Sequence, residues 1–147
     1  MLEFNEWGYI TPPGVHVLTL EDFERTFVID AGRERLFKRL LDLVGDLKGL
    51  SATGFYLWVD GSFVTKKRVP RDVDVVCFMD NQFFEQNEKR LFGIRNHYEP
   101  DIDAFYVLNF PLEHPDYPQT VRDQLGWFEF LKVDRQANQK GFIEIQF

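Results

Sequence analysis

The chain predicts an α+β fold, α/β-like in its alternation, with a mixed central sheet flanked by helices. Three observations carry that expectation. Segments with apolar residues at steps of three and four alternate with short apolar runs of strand length. One run, Val73 to Met79, is apolar on both faces apart from its aspartate, as a strand covered on both sides must be. A length of 147 residues, 44% of them hydrophobic, suits one core and one domain over residues 1–147.

Residues 1–18 read as an irregular N-terminal arm packed on that domain. Thr11-Pro12-Pro13-Gly14 forces a rigid turn, because proline fixes φ and glycine tolerates torsions that other residues avoid. Phe4, Trp7, Tyr9 and Ile10 are the side chains to fasten the arm. Thr19 is a suitable N-cap for a short helix, Leu20 to Phe27, with Glu21 and Asp22 in its first turn. A longer helix follows from about Gly32 to Leu47, with Asp30 as its cap. Leu36, Phe37, Leu40, Leu41, Val44 and Leu47 make its apolar stripe, and Arg33, Glu34, Lys38, Arg39 and Asp42 take the other side.

Phe55 to Val59 is the first strand, and Gly61-Ser62 ends it and opens a one-turn helix. Val73 to Met79 is the second strand. A helix from Asn81 to about Tyr98 offers Phe83, Phe84, Leu91 and Phe92 for burial, and Ile102 to Phe110 is the third strand. After a proline-broken loop, a helix runs from Tyr117 or Thr120 to Leu131 with Val121, Leu125, Phe128 and Leu131 inward. Phe142 to Phe147 alternates as a last strand.

The formal net charge is −7, yet Lys66, Lys67, Arg68 and Arg71 share one loop. This argues against nonspecific binding of duplex DNA and for a small anionic ligand near that loop. The single cysteine, Cys77, excludes an internal disulfide and sits among apolar residues as a buried small side chain, typical of a reducing compartment. No apolar run approaches the roughly 20 residues of a membrane span, and the first residues lack the layout of a secretory signal, so a cytoplasmic protein is expected. His16, His97 and His114 share no zinc-like spacing.

The chemistry concentrates between Gly61 and Asp103. Asp72 and Asp74 are one residue apart, so on a strand both point to one face. Asp101 and Asp103 repeat the spacing at the start of the third strand. Neighbouring strands would let one carboxylate of the second pair meet the first, a set of hard oxygens suited to Mg²⁺. Gly61 allows backbone amides close to a phosphate, Ser62 adds a hydroxyl, and Lys66, Lys67 and Arg68 can neutralise phosphate charge. Asp134, Arg135 and Lys140 read as a hairpin turn. If that turn approaches the site, Lys140 can touch a phosphate.

Gly61-Ser62, nine residues, then Asp72-Val73-Asp74 resembles the signature of the DNA polymerase β-like nucleotidyltransferase superfamily. The minimal nucleotidyltransferases, some paired with helical toxin partners in bacteria, are similar in size. The chain also resembles, over nearly its whole length, an uncharacterised bacterial family placed in that superfamily. The pieces are Pro12-Pro13-Gly14, Leu18-Thr19-Leu20, Asp60-Gly61-Ser62-Phe63-Val64-Thr65, Pro70, Asp103-Ala104-Phe105, Asp134-Arg135 and Lys140-Gly141. The resemblance implies a nucleotidyltransferase fold, with Asp72, Asp74 and Asp103 as metal ligands and Asp103 as general base for an acceptor hydroxyl. It implies Ser62 as a triphosphate contact and leaves Asp101 as an alternative third carboxylate. ATP or another nucleoside triphosphate with Mg²⁺ is the implied cofactor set. Transfer of NMP, from ATP as AMP, to a protein or RNA hydroxyl is the implied activity, in the setting of a toxin–antitoxin or phage-defence pair with a separate partner chain. Two other readings stand beside it. One is a module that kept the fold and nucleotide binding but lost the reaction. The other is an interaction protein whose aromatic arm docks on a partner.

Overall fold

A computed structural model describes the whole chain, Met1–Phe147. In chain order the strands are β1 (Glu3–Phe4), β2 (Ile10–Thr11), β3 (Gly14–Val17), β4 (Tyr56–Asp60), β5 (Val73–Asp80), β6 (Ile102–Asn109) and β7 (Gly141–Gln146). The helices are α1 (Leu20–Phe27), α2 (Ala31–Gly49), α3 (Asn81–Tyr98) and α4 (Tyr117–Leu131), with a one-turn 3₁₀ segment at Ser62–Val64. The fold is α+β with a mixed five-stranded sheet in the order β3-β7-β4-β5-β6. The β3–β7 and β5–β6 pairs are parallel, and the two pairs that β4 makes are antiparallel. No helix is long and apolar enough to cross a membrane.

Local chemistry starts the helices where expected. Thr19 Oγ1 accepts from the Asp22 N–H at 3.1 Å, Asp30 from Arg33 N–H at 2.9 Å and Asp80 from Phe83 N–H at 3.1 Å, each satisfying an orphan donor of a first turn.

Strand alternation then sorts the sheet into two faces. Val73, Val75, Cys77 and Met79 of β5 join Leu57, Val59, Ile143 and Ile145 in a core of 25 buried residues, closed by α1, α2 and residues of α3. On the other face Trp58, Val76, Phe78, Val107 and Phe142 pack under Leu131, Trp127 and Phe128 of α4, a cluster of only six buried residues. Asp60, Asp74 and Asp103 share the parity of this second face.

Four expectations are corrected. The arm is not irregular: β1 and β2 form a small antiparallel hairpin, and β3 is an edge strand of the main sheet with Gly14 opposite Gly141. Its strands are two to four residues long, too short for a period to show. Within the arm Ile10 is fully buried and Phe4 packs edge-on to Phe27, but Trp7 is 65% exposed and fastens nothing. In α4, Phe128 and Leu131 turn inward as expected, but Val121 and Leu125 face solvent, and Thr120 and Trp127 turn inward in their place. Apolar residues lie all round this helix, so its sequence allows more than one inward stripe. In α3, Leu91 is buried but Phe92 is exposed. In α2, Leu43 rather than Leu41 completes the buried stripe, and Arg33, expected on the solvated side, is 1% exposed.

Candidate active site

Register builds the site. Asp60 at the end of β4 lies opposite Asp74 of β5, and Asp74 lies opposite Asp103 of β6. Adjacent strands are about 4.8 Å apart, so three carboxylates stand in a row across one face of the sheet. Asp72 precedes Asp74 by two residues and adds its charge to the row. Burial, then the charges of Asp72, Asp103 and Asp60, push the Asp74 carboxyl up to about 7, with Lys140 acting in the opposite direction. Burial likewise raises Asp60, against the attraction of Lys140.

Lys140, just before β7, ends the row. It is buried and its ammonium forms an ion pair with the Asp60 carboxylate. Its own carbonyl accepts from Gly14 N–H, and its N–H donates to Lys132, so β3 and the end of α4 both position it.

The bend after β4 is shaped by Gly61, whose φ is +81°, a left-handed conformation in which side chains are strained. A Cβ there would also run into the Asp74 carboxylate, only 3.1 Å from its Cγ. Glycine thus lets the acid row come against the backbone of the turn. Ser62 opens the 3₁₀ segment, and its carbonyl accepts from the Thr65 hydroxyl at 2.7 Å.

The loop beyond is held from inside by Arg33. Its guanidinium donates to the carbonyls of Phe63 (2.6 Å), Lys67 (2.7 Å), Thr65 (2.9 Å) and Phe27 (3.2 Å) and lies over the Phe63 ring. Burial lowers its pKa below the usual guanidinium range. Arginine suits this position because its planar fork can reach several acceptors at once.

A cleft of about 1010 Å³ opens beside these groups. Its lining includes Asp60, Gly61, Ser62 and Asp74, the loop residues Thr65, Lys66 and Lys67, residues Asn5–Tyr9 of the arm, and Phe130, Asp134, Arg135 and Lys140. The arm is tied across it: Lys66 N–H donates to the Gly8 carbonyl at 3.0 Å, Lys66 Nζ lies 4.3 Å above the Phe4 ring, and the Tyr9 hydroxyl donates to Asp134 at 2.7 Å. Hydrogen bonds from Asn138 and Tyr9 hold the Asp134 carboxyl down at about 2.

Of the residues singled out in the sequence, Asp74, Gly61, Ser62, Lys66 and Lys67 meet in the cleft. Asp72, just before β5, and Asp103, opposite Asp74 on β6, act on the charge of Asp74, but neither lines the cleft. Arg68 is exposed and lies outside the lining. Asp101 precedes β6, where strand alternation no longer applies, and turns to α2, pairing with Arg35 at 3.0 Å and Arg39 at 3.3 Å. Those arginines satisfy it, so Asp103 is the member of that pair that belongs to the row. Sequence reasoning passed over Asp60 and Arg33. The signal for Asp60 was its parity with Trp58 in a strand that ends at Gly61. Arg33 had no local signal, because its partners lie 30 or more residues away in the loop.

The donor set suits a hard divalent cation: carboxylate oxygens carried by rigid strands, crowded enough that burial and neighbouring charges push Asp74 up to about 7. The carboxylates stand as an open line; no three His, Cys, Asp or Glu side chains are gathered into a finished ligand cluster.

The model of a protein family described as a family of unknown function (DUF6932) matches residues 2–146, and the chain belongs to that family. No curated protein and no solved structure matches it.

Proposed function

We propose that the chain is a magnesium-dependent nucleotidyltransferase that moves NMP, as AMP from ATP, onto a hydroxyl of a protein or an RNA. The observation that carries this reading is that Asp74, paired in register with Asp103, lies against the Gly61-Ser62 bend at the wall of a cleft that also holds lysines. The resemblance of Gly61-Ser62 and Asp72-Val73-Asp74 to the polymerase β-like superfamily supports it, as does the antiparallel-then-parallel run of β4, β5 and β6 that bears these residues.

Asp72, Asp74 and Asp103 are the residues to hold Mg²⁺, which when bound neutralises phosphate charge and polarises the reacting phosphate. Ser62 and Lys66, with Lys67 beside them, face the triphosphate. Asp103 accepts the proton of the acceptor hydroxyl. The acceptor oxygen then bonds to the α-phosphorus as the bond from that phosphorus to the pyrophosphate oxygen breaks. Lys140, fixed by Asp60, keeps a positive charge beside the carboxylates. A macromolecular acceptor, or a separate partner chain, follows the analogy with the minimal nucleotidyltransferases. A toxin–antitoxin or phage-defence setting in the cytoplasm rests on analogy with the minimal nucleotidyltransferases alone.

Incubation with α-³²P-labelled ATP, Mg²⁺ and a cell lysate tests the activity. Label is expected on a protein or RNA with the wild type and on none with Asp72→Ala plus Asp74→Ala. ATP binding without label on any macromolecule would identify the chain as a nucleotide-binding module that has lost the reaction.

A further inference from the structure

We infer that Trp7 is the platform on which the base of the bound nucleotide stacks, an inference that rests on the nucleotide reading above. Trp7 lines the cleft, is 65% exposed, and pairs with no aromatic ring of the protein, in a chain whose other two tryptophans are packed. Trp58 is 6% exposed and sits among Phe78, Phe128 and Phe142, and Trp127 is half-buried against Phe105. A large indole left in water forgoes the gain of burial, roughly 25 cal/mol per Å² of apolar surface.

The loop that carries it is not loose. Asn5 Oδ1 accepts from the N–H groups of Trp7 and Tyr9, both at 3.0 Å, and Asn5 N–H donates to the Tyr9 carbonyl at 2.8 Å. Gly8, at φ +78°, lies so close to Lys66 that a Cβ would come within 2.8 Å of the lysine Cβ. Tyr9 is tied to Asp134. The arm therefore fixes the backbone that carries the indole, one residue from the backbone contact with the basic loop. The cleft thus has charged residues for phosphates and an unpaired aromatic face on a held backbone, matching the two ends of a nucleotide. Stacking on an aromatic side chain is tolerant of base identity, because every base has a π-face.

The test uses the full chain with Mg²⁺, titrated with ATP and separately with inorganic tripolyphosphate, following tryptophan emission and heat. ATP is expected to quench emission and tripolyphosphate to leave it nearly unchanged, because Trp7 is the one exposed indole. Trp7→Ala is expected to weaken ATP roughly 10-fold, with tripolyphosphate affinity unchanged and Trp7→Phe retaining most of the ATP affinity. Equal ATP affinity in wild type and Trp7→Ala, with tripolyphosphate still bound, would overturn the base platform and leave the phosphate site standing. A short single-stranded RNA that quenches Trp7 where ATP does not would also overturn it, by placing the base of an acceptor there. Failure of the wild type to bind either ligand would overturn both readings. The exposure of Trp7 makes a folding defect in the variants unexpected, and an unchanged unfolding midpoint checks this.

Discussion

The two faces of the sheet use the same strands to opposite ends. Toward α1, α2 and α3, alternate residues of β4, β5 and β7 and the first half of β6 are apolar and buried, in a cluster of 25 residues. Toward α4, β4, β5 and β6 carry aromatics or valine at one end and an aspartate (Asp60, Asp74, Asp103) at the other, and the buried cluster has six residues. In β5 the change takes one step: Val73 and Val75 face the closed core while Asp74 between them faces the acid row. The closed face supplies stability, and the open face spends part of it by crowding like charges where burial penalises them. A strand stiffly held on one side can keep its carboxylates aligned on the other, as a site for cations needs.

Breaking the closed face where it supports the open one gives the largest effect. Arg33 is buried and saturates four carbonyls, three of them in the loop that follows Ser62. Arg33→Met leaves the Phe27 and Phe63 carbonyls unpaired in a buried environment and is expected to lower unfolding free energy by about 3 kcal/mol in urea titrations. Hydrogen exchange over residues 62–67 should accelerate beyond the global change, because the loop loses its internal anchor. A loss under about 0.5 kcal/mol, the range of an ordinary surface substitution, would mean that Arg33 is not an anchor at all.

A smaller and opposite effect is expected on the open face. Asp74 is raised from 3.8 to about 7, so between those values the folded chain holds a proton that the unfolded chain has released. The stability of the chelator-treated protein should therefore fall as pH rises from about 4 to 7 and then level off. Asp74→Asn removes the penalty, and thermal unfolding at pH 8 should show a midpoint about 2–4 °C above wild type, with little difference at pH 4. An equal shift at both pH values would point to packing rather than charge.

Much of this contrast was legible in the sequence. The helices α1 and α2 began at caps that could be named, and the doubly apolar run of β5 marked a covered strand. The Asp72-Asp74 spacing marked the open face. What escaped depends on partners distant in the chain. β3 gains its place only by pairing with β7, and Val15 and Val17 point outward with no pattern to announce a strand. Asp60 joins the row only through register. Arg33 looks like any charged residue on a polar arc until the loop folds over it. Asp101 shows the converse: spacing alone put it beside Asp103, but lying outside the strand it went to Arg35 and Arg39.

The most direct test of the open face as a metal–nucleotide site is titration calorimetry with ATP and Mg²⁺ on wild type and on Asp72→Ala plus Asp74→Ala. Saturable binding by the wild type, weakened at least 10-fold in the double variant and lost when Mg²⁺ is withheld, is expected if the carboxylates hold the ion that carries the triphosphate. Equal affinity in the two proteins would contradict it and leave the acid row as a feature of the fold alone.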